Sequence, residues 1–145
     1  MSELKRHFAT IESGRWGARQ VHYRRAGNGP TLIMLHQSPL SSMDLVPLMQ
    51  AWSDRFTVIA PDTPGYGLSD PLGVSQASMD DFAEAASEFI DAIGVDDFAV
   101  YGFHTGAGMA VALANRLPRR AGKAVCRRLC DVPIRVWKGW RFPAP

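Results

Sequence analysis

A histidine with glycines two positions to either side, Gly102-Phe-His104-Thr-Gly106, is the pattern in this sequence best placed to do chemistry. An imidazole can attack a carbonyl, take a proton as a general base, or hydrogen-bond a ligand. The flanking glycines suit a sharp strand-to-helix turn. Its central residue takes a strained left-handed conformation, and the backbone passes so close two positions before and after that only small side chains fit. In the pattern Gly-x-Ser-x-Gly the central place holds an oxygen nucleophile, so an imidazole there is unexpected. Direct attack on an ester would give an acyl-imidazole that water hydrolyses, feebly without a base. The bland alternative is a His104 that fills a former active-site cavity and does nothing chemical.

Two other loops carry chemical residues at strand ends: His36-Gln37-Ser38-Pro39, and Asp62-Thr-Pro-Gly65-Tyr66-Gly67-Leu-Ser69-Asp70. Positioning all three requires buried strands. The apolar runs Thr31–Leu35, Thr57–Ala60 and Phe98–Tyr101 suit strands covered on both faces. Gln20–Arg25 followed by Gly27-Asn-Gly-Pro30 reads as a hairpin strand and its turn. Helices are expected from about Ser42 to Trp52, from Ser78 as N-cap to Gly94, and from Thr105 to about Leu117. Met79, Phe82, Ala86, Phe89, Ile90 and Ile93 form the apolar stripe of the second. The alternation predicts an α/β fold with a mostly parallel sheet flanked by helices, in which the C-terminal strand ends are where sites are built.

With 46% hydrophobic and 21% charged residues, the composition fits one globular domain and excludes disordered and collagen-like classes. No apolar run approaches the roughly 18 residues of a membrane helix, and the N-terminus lacks an apolar signal segment, so a cytoplasmic location is expected. The net charge of +2 conceals an asymmetry. Residues 1–118 carry 8 Lys and Arg against 13 Asp and Glu, whereas residues 119–145 carry 8 against 1. A partial α/β domain over residues 1–125 and a basic tail over residues 126–145 is the expected division.

Order and spacing of the three loops make residues 15 to 125 resemble the N-terminal half of the α/β-hydrolase fold family, in its branch of esterases, epoxide hydrolases, haloalkane dehalogenases and carbon–carbon bond hydrolases. The loop from Asp62 to Asp70 matches that branch's Asp-x-Pro-Gly-x-Gly-x-Ser-Asp completely. The first loop departs from His-Gly-x-Pro at Gln37, and the third departs at His104. The resemblance implies an incomplete α/β-hydrolase fold and hydrolysis of a small, largely apolar ester, epoxide, halide or related substrate without metal or organic cofactor. It also implies an oxyanion hole built from the Thr105 N–H and one N–H of the first loop, Ser38 or Gln37, with Gly102 and Gly106 structural. His36, Asp62, Ser69 and Asp70 are expected to shape the loops, and Tyr66 to border a pocket. His7 and His22 read as surface or strand residues. In this family an acid and a His follow the elbow, but after His104 only Asp131 is acidic and no His remains. A weakly active or inactive hydrolase is therefore expected, the alternatives being a non-catalytic relative that binds a small molecule, or a fragment without function.

The tail departs from the family's pattern after Val125. Burying Arg127 and Arg128 in a strand would be costly, so the sheet is expected to end early. Its Arg, Lys and Trp could meet phosphates and bases, and Cys126 with Cys130 could hold a metal, but one Cys pair without further ligands is poor evidence. The abrupt change in charge, Cys and Trp instead favours an altered reading frame or a premature end.

Overall fold

A computed structural model describes residues 3–127 of the chain. Six strands form one sheet: β1 Lys5–Ile11, β2 Arg19–Ala26, β3 Thr31–Leu35, β4 Thr57–Pro61, β5 Phe98–Phe103 and β6 Ala121–Arg127, in the order β1-β2-β4-β3-β5-β6. β1 pairs antiparallel with β2, and β2 with β4; the β4, β3, β5 and β6 pairings are parallel. The helices are α1 Val46–Trp52, entered through a 3₁₀ turn at Ser42–Leu45, α2 Met79–Ala92 and α3 Thr105–Arg116. Among the described residues no helix is long and apolar enough to cross a membrane.

The apolar runs sit where their pattern demands. In β3 successive residues serve opposite faces. Ile33 and Leu35 join Val21, Phe89, Ile90 and Leu113 in a core under α2 and α3, while Leu32 and Met34 join Val58, Ala60 and Met49 in a second core under α1. After β3 the chain crosses to β4 on one side, then returns to β5 on the other. This reversal opens a crevice at the C-terminal end of β3, bordered by the loops that follow β3 and β5.

Three expectations are corrected. Gly27–Pro30 does not fold β2 back on β3. β2 instead pairs with β1 and β4, and the turn packs on the segment before β4, with Thr57 N–H donating to the Pro30 carbonyl. A Cβ on Gly27 (φ +82°) would lie 2.0 Å from the Phe56 carbonyl oxygen, so this site admits only glycine. Met79, placed on the buried stripe of α2, is 41% exposed. Its thioether lies over Gly108 of α3 instead of entering the core. The last strand continues through Arg127, each residue from Lys123 on paired with β5, while Cys130, Asp131 and the rest of the tail lie outside the described residues.

α2 begins in a capping box. Ser78 Oγ accepts from Asp81 N–H, and the Asp81 carboxylate accepts from Ser78 N–H at 2.8 Å. Those bonds, then Arg15, hold the half-buried Asp81 carboxyl below its ordinary pKa. Ser78→Ala should lower the unfolding free energy by about 1 kcal/mol, read from the urea midpoint; an unchanged midpoint would show that the box contributes nothing.

Candidate functional site

β5 turns into α3 at one residue. His104 has φ 53° and ψ −117°, and it is the single non-glycine with positive φ among the described residues. Its neighbours explain why the bend is held. A Cβ on Gly102 would lie 2.1 Å from the Gly106 carbonyl oxygen, and one on Gly106 would lie 2.2 Å from that of Leu35 and 2.7 Å from that of His36. The first turn of α3 is thus pressed onto the end of β3, and the strained residue between the glycines has no room to relax. His104 is exposed, and no described residue hydrogen-bonds its ring.

The first loop is tied to the second through His36, which is buried. Its Nδ1–H donates to the Gln37 carbonyl at 2.9 Å, and its Nε2 accepts from the Thr63 N–H at 2.9 Å. This pattern requires the neutral ring. Burial lowers the His36 pKa, against the weaker raising effect of the Gln37 carbonyl.

The second loop closes around Asp62, also buried. Its Oδ1 accepts from Ser42 N–H at 2.7 Å; its Oδ2 accepts from Leu68 N–H at 3.0 Å and from His22 Nδ1–H at 2.8 Å. Burial pushes this carboxyl's pKa up, but the bonds from Ser42, Leu68 and His22 outweigh it and leave it below the ordinary value. Gly67 (φ +55°) lets the loop wrap the carboxylate, because a Cβ there would lie 2.1 Å from Oδ2. Ser69 Oγ accepts from His22 N–H at 3.0 Å, and Asp70 accepts from Gln20 N–H at 2.8 Å. Ser69, His22 and Asp62 do not form a triad, since the hydroxyl touches the His22 backbone and not its ring.

The residues singled out from sequence divide clearly. The structure brings Ser38 and Thr105 together: Ser38 N–H donates to Thr105 Oγ1 at 2.7 Å. The Thr105 N–H is the first of α3, where helix donors lack partners within the helix. The Gln37 carbonyl accepts from Leu40 N–H and from His36, and its side chain reaches Asp44 at 3.3 Å. Tyr66 stands edge-on to His36 at 6.2 Å. An apolar recess beneath the second loop is lined by Leu35, Thr63, Phe82, Ala86 and Met109, and neither Tyr66 nor His104 lines it. His22, read from sequence as a surface or strand residue, is a strand residue but wholly buried against Asp62. Nothing local announces this, because its partner is 40 residues away. His7 stays on β1, stacked on Tyr23 at 5.1 Å.

The sequence profile of the alpha/beta hydrolase fold matches residues 30–142. The chain belongs to the α/β-hydrolase fold family. It is 34% identical over 106 residues to an uncharacterized hydrolase of Saccharomyces cerevisiae, covering 70% of the chain and 36% of that protein. It is 32% identical over 95 residues to haloalkane dehalogenase 2 of Mycobacterium tuberculosis, covering 66% of the chain and 33% of that enzyme. The solved epoxide hydrolase CorEH superposes with a TM-score of 0.77 at 26% identity, over 97% of this chain and 47% of that one. The chain spans about a third of the length of the curated relatives it matches.

Two outcomes are expected of the groups that tie these loops. Gly106→Ala should cost about 3 kcal/mol, because the carbonyls it would strike are backbone and cannot swing aside; a loss under about 0.5 kcal/mol by urea unfolding would show that the approach is loose. His36 and Asp62 both have depressed pKa values, so in each case the unfolded chain binds the proton more tightly and acidification destabilises the fold. The His36 contribution is complete above its ordinary value of 6.5 and is lost as pH falls below it; the Asp62 contribution is lost below about 3.8. Unfolding free energy should therefore drop between pH 7 and pH 5, and His36→Gln should flatten that interval while leaving the acid limb in place. Parallel curves for both proteins would contradict the assignment.

Proposed function

We propose that this chain carries the elbow of a hydrolase acting on a small, largely apolar ester or epoxide, with the His104 imidazole in the place of the usual oxygen nucleophile and a correspondingly low rate. The observation that carries the reading is the bend itself: an exposed side chain at φ 53°, at the start of α3 and beside the first loop, whose Ser38 N–H reaches Thr105. The names of its relatives, a haloalkane dehalogenase and an epoxide hydrolase, support the substrate class. A cytoplasmic setting and a small-molecule partner go with this reading.

On an activated ester the neutral ring nitrogen attacks the carbonyl carbon, and the developing oxyanion takes the Thr105 N–H. Collapse expels the alkoxide, which leaves as the alcohol with the ring's N–H proton passed to it through water, and the product is a neutral acyl-imidazole. Water then adds, releasing the carboxylic acid and restoring the imidazole. Between residues 105 and 145 the sequence holds one carboxylate, Asp131, and no histidine. The unpartnered ring also favours a second reading, a relative that binds a small molecule at the crevice without turning it over.

Hydrolysis of p-nitrophenyl acetate separates the two. The first reading expects a measurable rate that falls to the buffer background in His104→Ala. Equal rates for the two proteins would remove the imidazole from the chemistry and leave the binding reading.

A further inference from the structure

An oxyanion hole works when its donors lie 2.7–3.1 Å from the place the oxygen will occupy. One of the two first-loop donors named from sequence, the Ser38 N–H, already has an oxygen at that distance, the Thr105 Oγ1 at 2.7 Å. That hydroxyl belongs to the same residue whose own N–H is the other half of the hole. A substrate oxygen cannot reach Ser38 N–H while Oγ1 is there. Nor is the contact incidental. Gly106 seats the first turn of α3 against the carbonyls of Leu35 and His36, which carries Thr105 to the first loop. The loop is in turn held in place by His36, through Thr63 and Gln37.

We propose that the Thr105 hydroxyl fills the oxyanion position and holds the Ser38 donor closed, so that the elbow is self-inhibited by its own side chain. This rests on the reading that an oxyanion forms beside His104. The low rate then has two separate origins, an imidazole in place of the usual oxygen nucleophile and a hole with one donor in place of two. Removing the hydroxyl opens the second donor. A donor of this kind is worth ~10²–10³ in rate, and part of that gain should be recoverable by shortening residue 105.

The test compares Thr105→Ala, Thr105→Val and Thr105→Ser with the parent protein, using two readouts. By NMR, Ser38 amide hydrogen exchange should be slow in the parent and in Thr105→Ser, which keeps the acceptor, and faster in Thr105→Ala and Thr105→Val, which lack it. With p-nitrophenyl acetate, Thr105→Ala should hydrolyse at least about tenfold faster than the parent, whereas Thr105→Val, whose methyl still fills the space, should show no gain. Equal Ser38 exchange in the parent and Thr105→Ala would overturn the proposal, as would a Ser38 amide freed in Thr105→Ala with no increase in that variant's rate. The double variant His104→Ala/Thr105→Ala keeps this result distinct from the nucleophile question. A gain that persists without His104 upholds the filled hole and rejects the imidazole as nucleophile; a gain that vanishes upholds both.

Discussion

The close approach of α3 to the end of β3 is the constraint from which the rest of the site follows. Gly106 lies so near the carbonyls of Leu35 and His36 that no side chain fits, and Gly102 is equally tight against Gly106. With both flanks fixed, the intervening turn must be made in a few residues, and His104 takes the left-handed conformation that such a turn demands. The strain is carried by packing elsewhere. Met109, Ala110 and Leu113 of α3 are buried against the sheet and α2, so the helix cannot slide back to relieve its first turn.

A second, polar constraint fixes the loops that border this turn. Asp62 gathers N–H donors from the 3₁₀ turn and the second loop together with the His22 ring, while His36 links the second loop to the first. Buried groups of this kind are stabilising only when satisfied, and removing one partner leaves a costly orphan. Asp62, Ser69 and Asp70 are therefore scaffold, and their carboxylates and hydroxyl are spent on backbone donors or on His22, outside any chemistry at position 104.

What could be read from the sequence was what depends on near neighbours. The apolar runs of β3, β4 and β5, the Ser78 cap and the glycine spacing around His104 each state a local requirement, and the structure meets them. The β1 strand passed unread because Lys5–Ile11 buries only Ala9 and Ile11, too little for a periodic signal. The hairpin assigned to Gly27–Pro30 failed for a related reason: turn residues mark a change of direction, not the strand that lies alongside afterwards. The decisive polar contacts were invisible because they are long-range, His22 to Asp62 across 40 positions and Ser38 to Thr105 across 67. No spacing rule predicts that a threonine hydroxyl should reach the donor expected to serve the substrate.

The account stands or falls with the backbone at position 104. The intraresidue nuclear Overhauser effect between the His104 amide proton and its own Hα reads the sign of φ directly, because positive φ brings the two protons closer than any helical or extended backbone does. A cross-peak markedly stronger than those of Phe103 and Thr105 is the expected result. A cross-peak no stronger than theirs would put His104 in ordinary strand or helix geometry and contradict the strained bend on which the whole site is built.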